Sequence, residues 1–106
     1  MTVPEIDVAE LAALPEGTVL IDVREPDEWA EAHVPFARHI PLGDLTERVD
    51  EVPTDDTVYV ICKMGGRSLR AAEYLIGQGI DAVNVAGGTQ AWISAGETVD
   101  AGEAAG

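Results

Sequence analysis

The sequence predicts an α/β domain built on a central, mostly parallel sheet with helices on both faces. Two patterns carry that expectation. Short apolar runs at residues 18–21, 58–61 and 82–85 lack the polar alternation of half-exposed strands, as strands buried on both faces of a parallel sheet do. Between these runs lie stretches whose apolar residues recur at helical spacing, so strands alternate with helices in the βα order that a parallel sheet requires. The chain has 106 residues, enough for one core and not for two.

The elements follow in order. Residues 3–6 make a short first strand, and Asp7 caps a helix over 8–14, where Val8, Leu11 and Leu14 share a face. Pro15-Glu16-Gly17 turns the chain into the strand at 18–21, which ends at Asp22. Pro26 suits the first turn of a helix carrying Asp27, Glu28, Trp29 and Ala32, with its acids at the favourable N-terminal end. His39-Ile40-Pro41 reads as a brief extended piece, and residues 45–52 as a helix presenting Leu45, Val49 and Val52. A strand over 57–61 leads through a polar loop into a helix with a Leu69, Ala72, Leu75, Ile76 stripe, stopped by Gly77 and Gly79. A strand over 82–85, a turn at Gly87-Gly88 and a helix over 89–95 with Trp92 complete the fold. Residues 97–106 are mostly Ala, Gly and acid, and are expected to form a frayed acidic tail beyond a domain spanning 3–96.

Twenty acidic residues face six basic ones, only one of them lysine, for a net charge of −14. Such a surface disfavours nucleic acid and anionic membranes as partners. A single cysteine forms no internal disulfide, the N-terminus lacks a basic, apolar leader, and no apolar run approaches the about 20 residues that span a bilayer. A cytoplasmic location is the expectation.

Half of the cationic residues lie at Cys62-Lys63-Met64-Gly65-Gly66-Arg67-Ser68 and the adjoining Arg70. This loop leaves a strand and enters a helix, at the carboxyl end of the sheet where α/β sites lie. Helix N–H groups favour a Cys62 thiolate, and Lys63, Arg67 and Arg70 push its pKa the same way. Gly65-Gly66 permits positive φ, so that successive N–H groups turn inward as an anion nest. Ser68 is placed either to cap the helix or to face the sulfur. Each feature alone fits a buried cysteine, a plain turn and a solvated face; their convergence points to a reactive thiolate.

Other chemistries fit poorly. His33 and His39 are the only histidines, and with one cysteine they give no metal-ligand spacing, so neither a metal nor another cofactor is expected. No second cysteine supports a dithiol cycle, and a Cys–His pair needs one histidine to reach Cys62 across the fold. No dinucleotide or P-loop glycine pattern is present.

The chain resembles the rhodanese-like family, in particular its small single-domain members. The motifs are Ile21-Asp22-Val23-Arg24 followed by Glu28-Trp29 and His33; Ile40-Pro41-Leu42; the Cys62 loop; and Val85-Ala86-Gly87-Gly88 with Ala91-Trp92. The resemblance implies a parallel sheet of about five strands flanked by helices. It also implies a sulfurtransferase in which Cys62 takes sulfane sulfur from an anionic donor such as thiosulfate, becomes a persulfide and passes the sulfur to cyanide or a thiol. A sulfur-accepting protein is a further partner of that kind. Substrate binding falls to Lys63, Met64, Gly65, Gly66, Arg67 and Ser68, with Asp22 and Arg24 shaping the surroundings. Four residues separate Cys62 from Arg67, as in sulfurtransferase members, whereas the related phosphatases carry a longer loop. A non-enzymatic docking module and a cysteine-dependent phosphatase or arsenate reductase are the competing readings. Ala32 and Phe36 stand where the family commonly has glycine, and His39 where it has asparagine; a bulky Phe36 would be costly at positive φ.

Overall fold

A computed structural model describes residues 2–102. Its five strands are β1 (Glu5–Ile6), β2 (Val19–Asp22), β3 (Arg38–His39), β4 (Val58–Ile61) and β5 (Ala82–Val85), ordered β1-β5-β4-β2-β3 and parallel throughout. The helices are α1 (Val8–Ala12), α2 (Pro26–Glu31), α3 (Gly66–Gly77) and α4 (Gly88–Ser94). The predicted architecture is therefore the observed one.

Strand alternation divides the core in two. Val19, Ile21, Val58, Val60 and Cys62 face one side with Ala71, Ala72 and Leu75 of α3, while Leu20, Ile61 and Val85 face the other with Leu11 of α1 and Trp92 of α4. Cys62 thus continues the apolar face that seats α3 beneath the loop. The end of α3 shows why it stops where it does. Gly79 at φ +86 lets Ile80 N–H reach Leu75 C=O at 3.0 Å and Gly79 N–H reach Ile76 C=O at 3.0 Å, a paired C-terminal cap closed by the Ile80–Leu75 contact.

Several boundaries differ from expectation for identifiable reasons. β1 covers only two residues, since Pro4 offers no N–H, although its carbonyl accepts from Asn84 N–H at 2.8 Å. Asp7 caps α1 as expected, in a reciprocal box with Glu10, but the helix ends at Ala12 because Pro15 disfavours helical geometry at Leu14. The helix expected over 45–52 is instead two 3₁₀ turns, Leu42–Asp44 and Val49–Glu51. Arg48 between them sits at φ −112, ψ 15, off the helical basin, while Leu45 and Val52 still reach the core. α3 starts three residues before its apolar stripe, capped by Gly65 rather than Ser68.

The tail expectation also changes. Asp100 exchanges two 2.9 Å backbone hydrogen bonds with His33, Gly102 N–H donates to Ala30 C=O at 2.7 Å, and Trp92 Nε1–H donates to Thr98 C=O at 2.9 Å. Val99 packs on the α1/α4 side of the core. Residues 97–102 are therefore held by backbone hydrogen bonds, which composition does not reveal; residues 103–106 lie outside the described range. Phe36 carries no backbone strain, since only glycines have positive φ among the described residues, and its ring meets Trp92 edge-on at 6.3 Å.

Candidate active site

The 62–67 loop leaves β4, which lies between β5 and β2, and enters α3. Gly65 adopts φ +113, a conformation that turns its N–H back toward the sulfur at 3.1 Å. Ser68, in the first turn of α3, is fully buried, and its hydroxyl oxygen lies 3.2 Å from Cys62 Sγ and 2.6 Å from Asn84 Oδ1. Of the two placements the sequence allowed for Ser68, the one facing the sulfur is observed.

Burial is the largest single influence on the Cys62 thiol and pushes its pKa up. Hydrogen bonds from the Ser68 hydroxyl and from the N–H groups of Ser68, Gly65 and Met64 outweigh it, so the pKa lies below the ordinary value. Oriented donors therefore hold the charge, and of the Gly65-Gly66 pair it is the Gly65 N–H that meets the sulfur. The cationic side chains act less directly than their clustering suggested.

Arg67 is the clearest instance. Its guanidinium pairs bidentately with Glu28 of α2, Nη1 to Oε1 at 2.7 Å and Nη2 to Oε2 at 2.9 Å. That pair lowers the Glu28 carboxyl to about 2 and raises Arg67 further above its ordinary value. Arg67 therefore ties α3 to α2 across the loop mouth. Asp22 and Arg24 form a second, buried pair: Arg24 Nε lies 3.1 Å from both carboxylate oxygens, Nη2 lies 2.9 Å from Oδ2, and Nη2 also donates to Ala32 C=O. Arg24 N–H caps the same Asp22 carboxylate at 2.9 Å, so Asp22 serves both as a local cap and as an ion-pair partner. Lys63 and Met64 are exposed, Met64 at 70%. A cleft of about 150 Å³ opens beside the loop, lined by Arg24, Glu28, Glu31, Lys63, Thr89 and Gln90, among others.

The Gly87-Gly88 turn, read from sequence as plain punctuation, supports the loop from below. Thr89 N–H donates to Cys62 C=O at 2.9 Å and Gln90 N–H to Lys63 C=O at 3.0 Å. A Cβ on Gly88 would stand 2.5 Å from both of those carbonyl oxygens, so only glycine permits this approach. Neither histidine is bonded to Cys62: His33 Nδ1 lies 2.7 Å from Trp29 C=O and His39 Nε2 lies 2.7 Å from Arg24 C=O. Sequence reasoning missed Glu28, Asn84 and Glu5 as parts of the site. Asn84 left a signal, a lone polar residue within the apolar run Ala82-Val83-Asn84-Val85. Glu28 stood in the Glu28-Trp29 motif of the resemblance but with no sign of its Arg67 partner, and Glu5 left no signal beyond its place among twenty acids.

Comparison with known proteins agrees with this geometry. YtwF of Bacillus subtilis (strain 168) is 42% identical over 95 residues, covering 87% of this chain and 92% of that protein. The thiosulfate sulfurtransferase GlpE of Pseudomonas syringae pv. syringae (strain B728a) is 36% identical over 78 residues, 73% of this chain and 74% of GlpE. The crystal structure of a rhodanese-related protein from Thermoplasma volcanium superposes with a TM-score of 0.87 at 34% identity, over 92% of this chain and 97% of that one. The rhodanese-like domain profile matches residues 7–95, and the chain belongs to the rhodanese-like, sulfurtransferase-containing family.

Proposed function

We propose that the protein is a sulfurtransferase carrying sulfane sulfur on Cys62. The observation that supports this best is the six-residue cradle itself, in which Gly65 N–H and the Ser68 hydroxyl meet a buried sulfur whose pKa is lowered. With thiosulfate as donor, the Cys62 thiolate attacks the outer sulfur. The thiosulfate S–S bond breaks, sulfite leaves with the electron pair, and Cys62 becomes a persulfide. Cyanide or a thiolate then attacks the terminal sulfur, taking it away as thiocyanate or a new persulfide and returning the thiolate. The loop donors are preorganised for negative charge on either sulfur.

In this reading Lys63 draws the anionic donor, and the Met64, Gly65, Gly66 and Ser68 backbone surrounds it. Arg67 has five N–H groups and gives two to Glu28, so it retains donors for the substrate. Asp22 and Arg24 hold the end of β2 beside the loop. Thiosulfate enters the proposal from the name of the GlpE relative and from the cationic Lys63; a persulfide donor and a sulfur-accepting protein are compatible with the same cradle. Among the described residues no helix is long and apolar enough to cross a membrane, and we place the protein in the cytoplasm, where a solitary thiol stays reduced.

The test is mass spectrometry after incubation with thiosulfate. Cys62 should gain one sulfur atom, and cyanide should remove it with release of thiocyanate. A protein whose Cys62 stays alkylatable but never gains sulfur would refute the proposal.

A further inference from the structure

The Ser68 hydroxyl has one hydrogen and two neighbours that want it, Cys62 Sγ at 3.2 Å and Asn84 Oδ1 at 2.6 Å. Which of them receives it depends on the orientation of the Asn84 amide, and that orientation is fixed from the far side. Asn84 Nδ2 faces Glu5 Oε2 at 2.7 Å and Gly65 C=O at 3.3 Å, both acceptors only. A flipped amide would set Oδ1 against these two oxygens. The unflipped amide points Oδ1 at Ser68, and the short 2.6 Å contact draws the hydroxyl hydrogen toward Asn84.

We infer that Glu5, acting through Asn84, is a positioning residue for the thiol: it holds the Asn84 carbonyl where it competes with sulfur for the Ser68 hydrogen. In the neutral state Cys62 S–H donates to Ser68 Oγ, whose hydrogen goes to Asn84, whose Nδ2–H goes to Glu5. On ionisation the thiol proton leaves to water and the Ser68 hydroxyl rotates to donate to Sγ. Asn84 Oδ1, on a residue only 1% exposed, is then left without that donor. The edge strand β1 thus sets how readily the buried thiolate forms, from 57 positions upstream of it (62 − 5). The inference deepens the reading of Cys62 as nucleophile and rests on that reading only for its consequence in transfer.

The experiment is a titration of the thiol, by thiolate ultraviolet absorbance and by the pH profile of iodoacetamide alkylation. Cys62 is the only cysteine, so both signals report on it alone. Glu5→Gln frees the amide to flip, because glutamine offers a donor as well as an acceptor, and Asn84→Ala removes the competing acceptor. Each should lower the thiol midpoint by about half to one pH unit, the size of one neutral hydrogen bond. The other charged groups around the loop, Lys63, Arg67, Arg24, Asp22 and Glu28, are the same in every variant. Removing the Glu5 charge would also lower the midpoint through space, so the two causes are separated by a double-mutant cycle. The network requires that Glu5→Gln add nothing in an Asn84→Ala background, or in Ser68→Ala should the former fail to fold. It also requires that the shift persist in about 1 M salt, where exposed charges more than about 3 Å apart are screened. Additive shifts, shifts abolished by salt, or no downward shift in Glu5→Gln overturn the inference. The titration reads the network whether or not sulfur is transferred, so its failure and that of the transferase proposal are distinct.

Discussion

Gly88→Ala should damage the site more than alanine at any other described glycine. The new Cβ would lie 2.5 Å from Cys62 O and Lys63 O and 2.6 Å from Lys63 C, all of them backbone atoms that no rotamer change can remove. Reaching an ordinary contact near 3.4 Å needs a separation of about 0.9 Å between the loop and the β5–α4 turn. That movement breaks or stretches the Thr89 and Gln90 N–H bonds to those carbonyls, worth about 1 kcal/mol each. Alanine at φ +59 costs about 1–2 kcal/mol more. The sum, about 3–4 kcal/mol, is a large share of a small domain's stability and corresponds to a melting-temperature drop of roughly 15–30 °C. Because the carbonyls displaced are those of Cys62 and Lys63, sulfur loading should fall about 100-fold, the usual cost of a misplacement near 1 Å. Gly87→Ala is the control. It is also at positive φ, but its Cβ would meet only the Ala91 methyl at 2.8 Å, so it should lose stability and keep most of its loading rate in the folded fraction. Thermal unfolding and loading rate, measured on both variants, decide the matter. Gly88→Ala with unaltered melting and loading would refute the claim that this turn supports the loop.

Further outcomes follow from the same geometry. Cys62→Ser should abolish sulfur loading and thiocyanate release while far-UV circular dichroism and the melting curve stay near wild type, since the buried change is nearly isosteric. Glu28 has a folded pKa of about 2 against an ordinary 4.5, so its pair with Arg67 stabilises the fold above pH 4.5 and is lost as pH falls toward 2. Glu28→Gln should therefore cost about 1 kcal/mol at neutral pH, modest because both side chains are partly exposed, and the difference from wild type should vanish near pH 2 in denaturant titrations. Asp22→Asn leaves Arg24 buried without its counter-charge and should cost about 3–5 kcal/mol by chemical denaturation. Lys63→Ala should raise the thiosulfate KM several-fold, by about 1 kcal/mol of lost ion pairing, with little change for an uncharged donor.

How far the sequence carried the reading depended on the kind of interaction. Apolar strand runs, the Asp7 cap, Pro26 at a helix start and the Gly79 stop are local signals, and each stands where it was expected. The cysteine loop was legible because glycine, cation and thiol are compressed into seven consecutive positions. What was not legible is the assignment of partners across the fold. Arg67 could be placed beside the thiol from sequence, but not bonded to a glutamate 39 positions earlier (67 − 28). Residues 45–52 show the apolar spacing of a helix, yet two short turns satisfy the same spacing once Arg48 leaves the helical basin. The 97–102 segment is held chiefly through backbone N–H and C=O groups, which every sequence carries and none advertises.

The pairing of Arg67 with Glu28 bears on how an acidic protein can run thiolate chemistry at all. A site that relied on bare cations would be working against a net charge of −14 and would weaken as salt screens it. Here the guanidinium charge is largely matched by Glu28, and that of Arg24 by Asp22. The thiol pKa is held down by the Ser68 hydroxyl, 3.2 Å from the sulfur, and by backbone N–H groups, of which that of Gly65 lies 3.1 Å away. Such dipoles act over a few ångströms and are little affected by the distant surface, and the backbone N–H groups among them need no reorganisation when the charge forms. They also suit a charge that moves outward by one sulfur, since a loop of several inward N–H groups offers donors along the path where a single cation would favour one end. The ion pairs then serve geometry, fastening α2 and the end of β2 to the loop, while Lys63, exposed and outside those two pairs, is the cation assigned to the anionic donor in the proposed transfer.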